Sequence, residues 1–282
     1  MTTSIALLGA GGKMGLRIVD QLEDHADYEM RYVEPAPEGR DRLEDRGVSA
    51  VSQEAALDGA DAVIMAVPDA VMADVCEAVV PELDAGTMVI LLDPAAAYAD
   101  ALPEREDVSY FITHPCHPPL FNDETDPEAK ADLFGGQDLA KQNIVYALHQ
   151  GPEADYARGE VIARDVYAPV MDAHRVTTEQ MAFLEPALVE TVTATCLYAI
   201  REAMDYVVEE VGVPEPAARD FVLGHVRTES AIIFDEVDFP LSDAALEAVE
   251  EGREELFRDG WKERVFATES VRESTRSITD SK

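Results

Sequence analysis

Basic residues are scarce in this chain. Its 282 residues include 22 Lys and Arg against 58 Asp and Glu, a formal net charge of -36. A surface field of that sign repels phosphate backbones and anionic lipid headgroups, which disfavours nucleic-acid and membrane-surface roles. Lysine is the scarcer cation, with five residues at positions 13, 130, 141, 262 and 282. Cysteine is scarce too. Cys76, Cys116 and Cys196 are an odd number without framework spacing, which argues against a disulfide scaffold and fits a reducing compartment. No apolar run approaches the length that spans a bilayer, and no basic stretch followed by a signal-type apolar segment opens the chain. A cytoplasmic location is therefore expected.

Apolar residues are plentiful: 47% of the chain is hydrophobic, enough for a real core with the acidity outside it. The acids are spread along the whole length, a composition that resembles cytosolic proteins of extreme halophiles, where screening by concentrated salt removes self-repulsion. An ordinary acidic protein is the alternative. The length suits two domains.

From Ser4 the sequence S-I-A-L-L-G-A-G-G-K-M-G-L-R-I-V-D-Q-L reads as a short strand, a glycine turn and an amphipathic helix with Met14, Ile18 and Leu22 on one face. Further strands are expected over 29–33, 62–67, 88–92, 110–113, 144–148 and 170–176, with helical stretches at 70–80 and 153–166. Strands alternating with helices predict a doubly wound, parallel α/β sheet of the Rossmann type. After Val176 the pattern changes. Thr177 with Gln180 reads as a capping box that opens a helix running to Gly212, with Pro186 as its one interruption, and helices are expected over 214–237, 242–258 and 261–278. The expected organisation is a dinucleotide-binding domain at 1–176 and an all-helical domain at 177–282.

The glycines of Gly9-Ala10-Gly11-Gly12-Lys13-Met14-Gly15 allow a tight turn, close approach of backbone to a pyrophosphate, and close packing of helix on strand. Two registers fit, Gly9-x-Gly11 or Ala10-x-Gly12-x-x-Gly15, with Gly12 and Gly15 expected to lie closest. Glu34 ends the second strand 19 residues past Gly15, where a carboxylate can accept both ribose hydroxyls of the adenosine half. That predicts NAD as the cofactor. NADP is the lesser expectation, since the carboxylate would repel its extra phosphate, although Arg40 and Arg42 follow closely. A sheet of this type that binds no dinucleotide is the bland alternative. Val67, Pro68 and Asp69 after one strand, and Asp93 and Pro94 after the next, are further cofactor contacts by position, since ligands sit outside the carboxyl ends of such strands. Either aspartate could instead cap a helix.

The sharpest local feature is Thr113-His114-Pro115-Cys116-His117-Pro118-Pro119-Leu120-Phe121, again at a carboxyl edge. Its prolines stiffen the backbone and fix where the imidazoles point. Histidine titrates near neutrality and can exchange a substrate hydroxyl proton, so His117 first and His114 second are catalytic candidates. A one-histidine share in a mixed metal site and a purely structural proline turn compete with that reading. All three donors of His114, Cys116 and His117 cannot meet one ion without a sharp turn. At the expected domain junction, Arg175 could hold a substrate carboxylate and His174 could bind hydroxyls. Pro186 disfavours helical geometry at Glu185 and exposes its carboxylate, which makes Glu185 a further catalytic candidate beside the plainer reading of a surface acid.

Together the glycine turn, Ala66-Val67-Pro68-Asp69, the T-H-P-C-H-P-P-L-F motif and the helical second half resemble the 6-phosphogluconate-dehydrogenase-like superfamily, and within it most nearly the D-apionate oxidoisomerase branch. The resemblance implies NAD-coupled oxidation of a branched sugar acid with an acyl shift giving 3-oxo-isoapionate, and a homodimer formed through the helical domains. One departure is informative. The wider superfamily carries a catalytic Lys on the first long helix of the second domain, and this chain has no Lys between Lys141 and Lys262. Histidine, foremost His117, is then expected to take the proton-transfer role. A divalent cation would help the shift as a Lewis acid, with Glu185 and Glu190 as conceivable ligands. A simple dehydrogenase without the shift and a non-catalytic NAD sensor remain alternatives.

Overall fold

The computed structural model describes residues 2–136 and 138–280; Met1, Gln137, Ser281 and Lys282, and with them the outermost ends of the two expected domains, lie outside the described residues. Short runs without polar residues, such as A-V-I-M and M-V-I-L, form strands buried on both faces. In order the first elements are β1 (Thr3–Leu8), α1 (Lys13–Leu22), β2 (Tyr28–Val33), α2 (Pro37–Glu44), α3 (Gln53–Leu57), β3 (Ala62–Met65), α4 (Asp69–Val79), β4 (Met88–Leu91), α5 (Ala95–Tyr98), β5 (Ser109–Pro115), α6 (Pro127–Ala131), β6 (Gln142–Gln150), α7 (Ala154–Val166) and β7 (Val170–Arg175). Alternate residues build the two core layers. Ile5, Leu7, Ile64 and Ile90 pack with Ile18 and Leu22 of α1 and Ile162 of α7, while Ala6, Leu8, Val63 and Met65 pack with Met72, Cys76 and Val79 of α4.

The strands form one sheet in the order β2-β1-β3-β4-β5-β6-β7. The expected doubly wound sheet is present, with one correction: β6 runs antiparallel to β5, and β7 is parallel to β6. Antiparallel neighbours are joined at one edge of the sheet without a crossover. The connection 116–141 therefore leaves and returns at the carboxyl edge of β5, where Pro115 pairs with Ile144. That is the edge on which the glycine turn lies.

The rest of the chain is helical: α8 (Thr178–Ala182), a π-helical segment Phe183–Ala194, α9 (Thr195–Tyr206), a second π-helical segment Val207–Val211, α10 (Glu215–Ile233), α11 (Asp243–Leu256), α12 (Trp261–Val265) and α13 (Thr268–Asp280). The Thr177–Gln180 capping box is formed, with the Gln180 N–H donating to Thr177 Oγ1 at 3.1 Å and the Thr177 N–H to Gln180 Oε1 at 2.9 Å. Pro186 does not end the helix. Lacking an N–H for the Ala182 carbonyl, it sits inside the wider π turn, where Thr191 Oγ1 donates to the carbonyl five residues back at 2.7 Å.

The described chain divides into two units: residues up to Pro119 with Glu124–Phe183 and from Arg272 on, and Leu120–Asp123 with Leu184–Val271. The cut expected at Val176 thus lies seven residues before the chain leaves the first unit at Phe183. Met181 and Ala182 are fully buried, Met181 in the layer that holds α4, which draws α8 into the sheet unit. Thr178–Val211 is one 34-residue helical run, long and apolar enough by composition to cross a membrane. That corrects the expectation that no run approaches this length.

Candidate functional site

The turn after β1 is fixed by backbone. The Gly9 and Ala10 N–H groups donate to the Val33 carbonyl at 3.0 and 3.2 Å, tying the turn to the end of β2. Gly9 has φ +75°, and a Cβ there would collide with the Ala66 carbonyl at the end of β3. At Gly15 a Cβ would strike the carbonyls of Gly9 and Ala10, and at Gly11 the backbone of Gly39 in α2. Gly9, Gly11 and Gly15 are the positions crowded by the protein's own backbone, and Gly12 is the open one. A Cβ on Gly12 would meet only the Gly9 carbonyl at 3.2 Å and the Ala66 carbonyl at 3.8 Å. Gly12 is the N-cap of α1, whose first turn has no side-chain cap and no acid, so its N–H groups suit an anion. Met14 packs against the core.

Glu34 stands at the end of β2 as expected. Its Oε2 accepts the Gly11 N–H at 2.8 Å and its Oε1 the Ala36 N–H at 2.9 Å, so backbone holds the carboxylate beside the glycine turn. Arg42 donates from Nε to the Gly11 carbonyl at 2.9 Å, whereas Arg40 is exposed. Beyond β3, Val67 is half-buried and Pro68 exposed, and Pro68, not Asp69, is the N-cap of α4. Burial pushes the Asp69 carboxyl up, opposed by a bond from backbone N–H and by the charge of His114. Asp93 Oδ1 accepts the Ala95 N–H at 2.7 Å in the turn that opens α5, with Pro94 as N-cap.

The two histidines differ. His114, at the end of β5, donates or accepts through Nδ1 at 2.8 Å from the Leu92 carbonyl, and only a donor can pair with a carbonyl, so Nδ1 carries the proton. The ends of β3, β4 and β5 thus meet around it. His117 lies beyond the strand, exposed, with φ +60°; apart from three aspartates it is the one positive-φ residue that is not glycine among the described residues. Its Nδ1–H donates to the Phe134 carbonyl at 3.0 Å, which makes Nε2 the accepting nitrogen of the neutral ring. The two imidazoles meet edge to face at 6.4 Å.

Phe134 was not legible as a site residue. It belongs to the connection 116–141, and its ring carries the ammonium of Lys13 at 4.4 Å and the guanidinium of Arg17 at 5.7 Å. His117 is therefore one residue removed from the first turn of α1. The available signal was an aromatic ahead of two glycines in a long loop at a carboxyl edge.

His174 and Arg175 are not brought here. Arg175 forms a bidentate pair with Glu153, at 2.6 and 3.0 Å, and stacks on Tyr156 at 3.3 Å. Its guanidinium is committed, which corrects the reading of a free carboxylate clamp. His174 is exposed on β7, in the register row of His114 with Val145 of β6 between them, roughly 10 Å away across two strand spacings. Glu185 and Glu190 belong to the second unit, on the π-helical segment, Glu185 half-buried and Glu190 exposed. Among the described residues no group of three His, Cys, Asp or Glu is placed to hold a metal ion.

A parallel sheet with a glycine turn at β1, an uncapped helix start and a carboxylate at β2 defines an NAD(P)-dependent oxidoreductase. Residues 122–279 match the family described as phosphogluconate dehydrogenase (decarboxylating) C-terminal, and residues 4–95 that of NADP oxidoreductase, coenzyme F420-dependent. The chain is 50% identical over 280 residues to a D-apionate oxidoisomerase of Cupriavidus necator, covering 99% of this chain and 100% of that one. It is 52% identical over 278 residues to a D-apionate oxidoisomerase of Rhizobium rhizogenes, covering 98% and 100%. A solved semialdehyde dehydrogenase NAD-binding protein of Cupriavidus necator, in complex with calcium and NAD, is similar at TM-score 0.95 and 49% identity, covering 99% and 100%. An NADH-preferring ketol-acid reductoisomerase from an uncultured archean shares the fold, at TM-score 0.66, 16% identity and 99% and 82% coverage. The chain belongs to the D-apionate oxidoisomerase family.

Proposed function

We propose that this protein oxidises D-apionate, or a sugar acid of that type, with NAD and that the oxidation is coupled to a shift in the carbon skeleton. The carrying observation is His117: its Nδ1–H is spent on the Phe134 carbonyl, so Nε2 is the base, on the same sheet edge as the glycine turn. The relatives' name supports the substrate, and the NAD in the similar solved structure supports the cofactor.

The residues fit a dinucleotide. Gly12 leaves room for a pyrophosphate where α1 presents N–H groups, Lys13 adds a cation, and Glu34 is held by two backbone N–H groups with lone pairs left for ribose hydroxyls. A carboxylate at that place disfavours a second phosphate, hence NAD over NADP. A nicotinamide held there would supply a hydride acceptor for the carbon that bears the hydroxyl. His117 Nε2 takes the hydroxyl proton, and its position on an exposed rim leaves it open to substrate. His114, tethered to Leu92, joins the ends of β4 and β5 beside it. Among the described residues the donor set for a cation is not assembled, and no step is assigned to one.

The helical unit supports a homodimer. Tyr198 is 72% exposed, Phe221 69% and Val211 66%, and Met204, Val207, Phe221 and Val222 line an apolar cavity of about 570 Å³. Exposed apolar side chains grouped in this way fit a surface covered by a second copy. Interspersed charges such as Glu190, Arg201 and Asp205 fit a subunit interface better than a bilayer. Cytoplasmic location and adaptation to salt complete the reading, on the cysteine usage and the charge of -36.

The test is turnover of D-apionate with NAD by wild type and by His117→Ala. The variant is expected to lose about 100-fold or more in kcat while binding NAD by calorimetry as tightly as wild type. Unchanged turnover would remove His117 from the chemistry.

A further inference from the structure

We infer that Phe134 is a positioning residue: its main-chain carbonyl fixes the tautomer and direction of His117, and its ring is seated for that purpose by Lys13 of the glycine turn. The inference rests on the role proposed for His117.

Phe134 is 50% exposed and belongs to neither core layer, so burial does not explain an aromatic there. What holds it is polar. Asp132 Oδ1 accepts the N–H of Phe134 at 3.2 Å and of Gly135 at 2.9 Å, folding the backbone into a tight turn with Gly135 at φ +70°. The ring is gripped on its face by Lys13 at 4.4 Å and meets the His117 ring edge to face at 6.0 Å and 84°. Among the described residues neither Lys13 nor Arg17 has a carboxylate ion-pair partner, in a chain with 58 acids. The result is a carbonyl aimed at His117 Nδ1 from a turn anchored on the cofactor side of the site.

The chemical consequence is specific. In water a free neutral imidazole favours the Nε2–H form, which has its accepting nitrogen at Nδ1. A carbonyl at Nδ1 selects the opposite form and makes Nε2 the base. His117 sits in a left-handed backbone conformation on an exposed rim, with no core packing of its own to hold the ring. Without Phe134 in place, both tautomer and direction would be lost.

The experiment compares full-length wild type, Phe134→Ala, Phe134→Tyr, His117→Ala and the double variant Phe134→Ala/His117→Ala. Turnover is followed on D-apionate with NAD, and imidazole tautomers by nitrogen-15 NMR after histidine labelling. Phe134→Ala is expected to lower kcat about tenfold or more with little change in the KM for the sugar acid, because misdirected groups cost rate rather than binding. Both variants keep the main-chain carbonyl, but only Phe134→Tyr keeps the ring that seats it, and Phe134→Tyr is expected to retain wild-type kcat. In the His117→Ala background Phe134→Ala should cost nothing further. The His117 resonance should report the Nδ1–H form in wild type and Phe134→Tyr, and a mixture in Phe134→Ala. An unchanged tautomer or an unchanged kcat in Phe134→Ala overturns the inference, as does an equal loss in both backgrounds. If His117→Ala alone leaves turnover intact, the role of His117 fails, while the tautomer measurement still decides whether Phe134 positions the ring.

Discussion

At the scale of single residues, the glycine turn is the feature whose geometry leaves least freedom. Gly15 has the carbonyls of Gly9 and Ala10 against its Cα, so Gly15→Ala must push α1 away from the turn. We expect that substitution to weaken NAD binding at least tenfold by calorimetry, equivalent to about 1.4 kcal/mol, and wild-type affinity would show that the turn can yield. The glycines and Glu34 were legible because strand, turn, helix and acid repeat one chemical requirement. Which glycines are crowded was not, since Gly11 is pressed by Gly39, a residue 28 positions away in a helix that the sequence pattern did not announce. Arg175 was misread for a similar reason. Its partners Glu153 and Tyr156 come from the start of α7, and nothing local to His174-Arg175 points to them.

At the scale of elements, all seven strands and the long helices follow from apolar runs and caps visible in the sequence. The short helices α2, α3, α5 and α6 do not, because a turn or two of helix has no readable period. The direction of β6 was hidden as well. Apolar composition sets a strand's burial, but its direction depends on where the connection 116–141 runs, and that is a tertiary fact. The β6–α7 link offers a test. Tyr146 of β6 donates to Glu160 Oε2 of α7 at 2.7 Å and Arg164 to Oε1 at 2.8 Å, and these two bonds hold the Glu160 carboxyl below its usual range, Tyr146 contributing most. A depressed folded-state value means that the stabilisation is present above the unfolded pKa of about 4.3 and is lost as pH falls through the folded value. Glu160→Gln should therefore lower Tm at neutral pH, with the gap to wild type narrowing below about pH 4. A gap independent of pH would show that the ionised carboxylate is not what stabilises the contact.

At the scale of the whole molecule, charge dominates. A net charge of -36 on a 30.8 kDa chain carries self-repulsion that dilute buffer screens poorly. Tm is expected to rise steeply as potassium chloride is taken from dilute to molar concentration, and sedimentation in molar salt should give twice the 30.8 kDa chain mass. Full stability in dilute buffer would contradict salt adaptation, and a monomer in molar salt would contradict the homodimer. The composition made the charge obvious, whereas the long apolar run Thr178–Val211 was broken up for the eye by Pro186 and scattered acids. The helix from the Thr177 capping box to Gly212 was legible, but the π winding that carries it past Pro186 was not.

The most direct test of the account is incubation of wild-type protein with D-apionate and NAD in molar potassium chloride, with NADH followed by absorbance and the product by carbon-13 NMR. The account predicts one NADH per product and a rearranged carbon skeleton. NADH with an unrearranged skeleton would contradict the coupled shift, and NAD binding without any NADH formed would contradict D-apionate as the substrate.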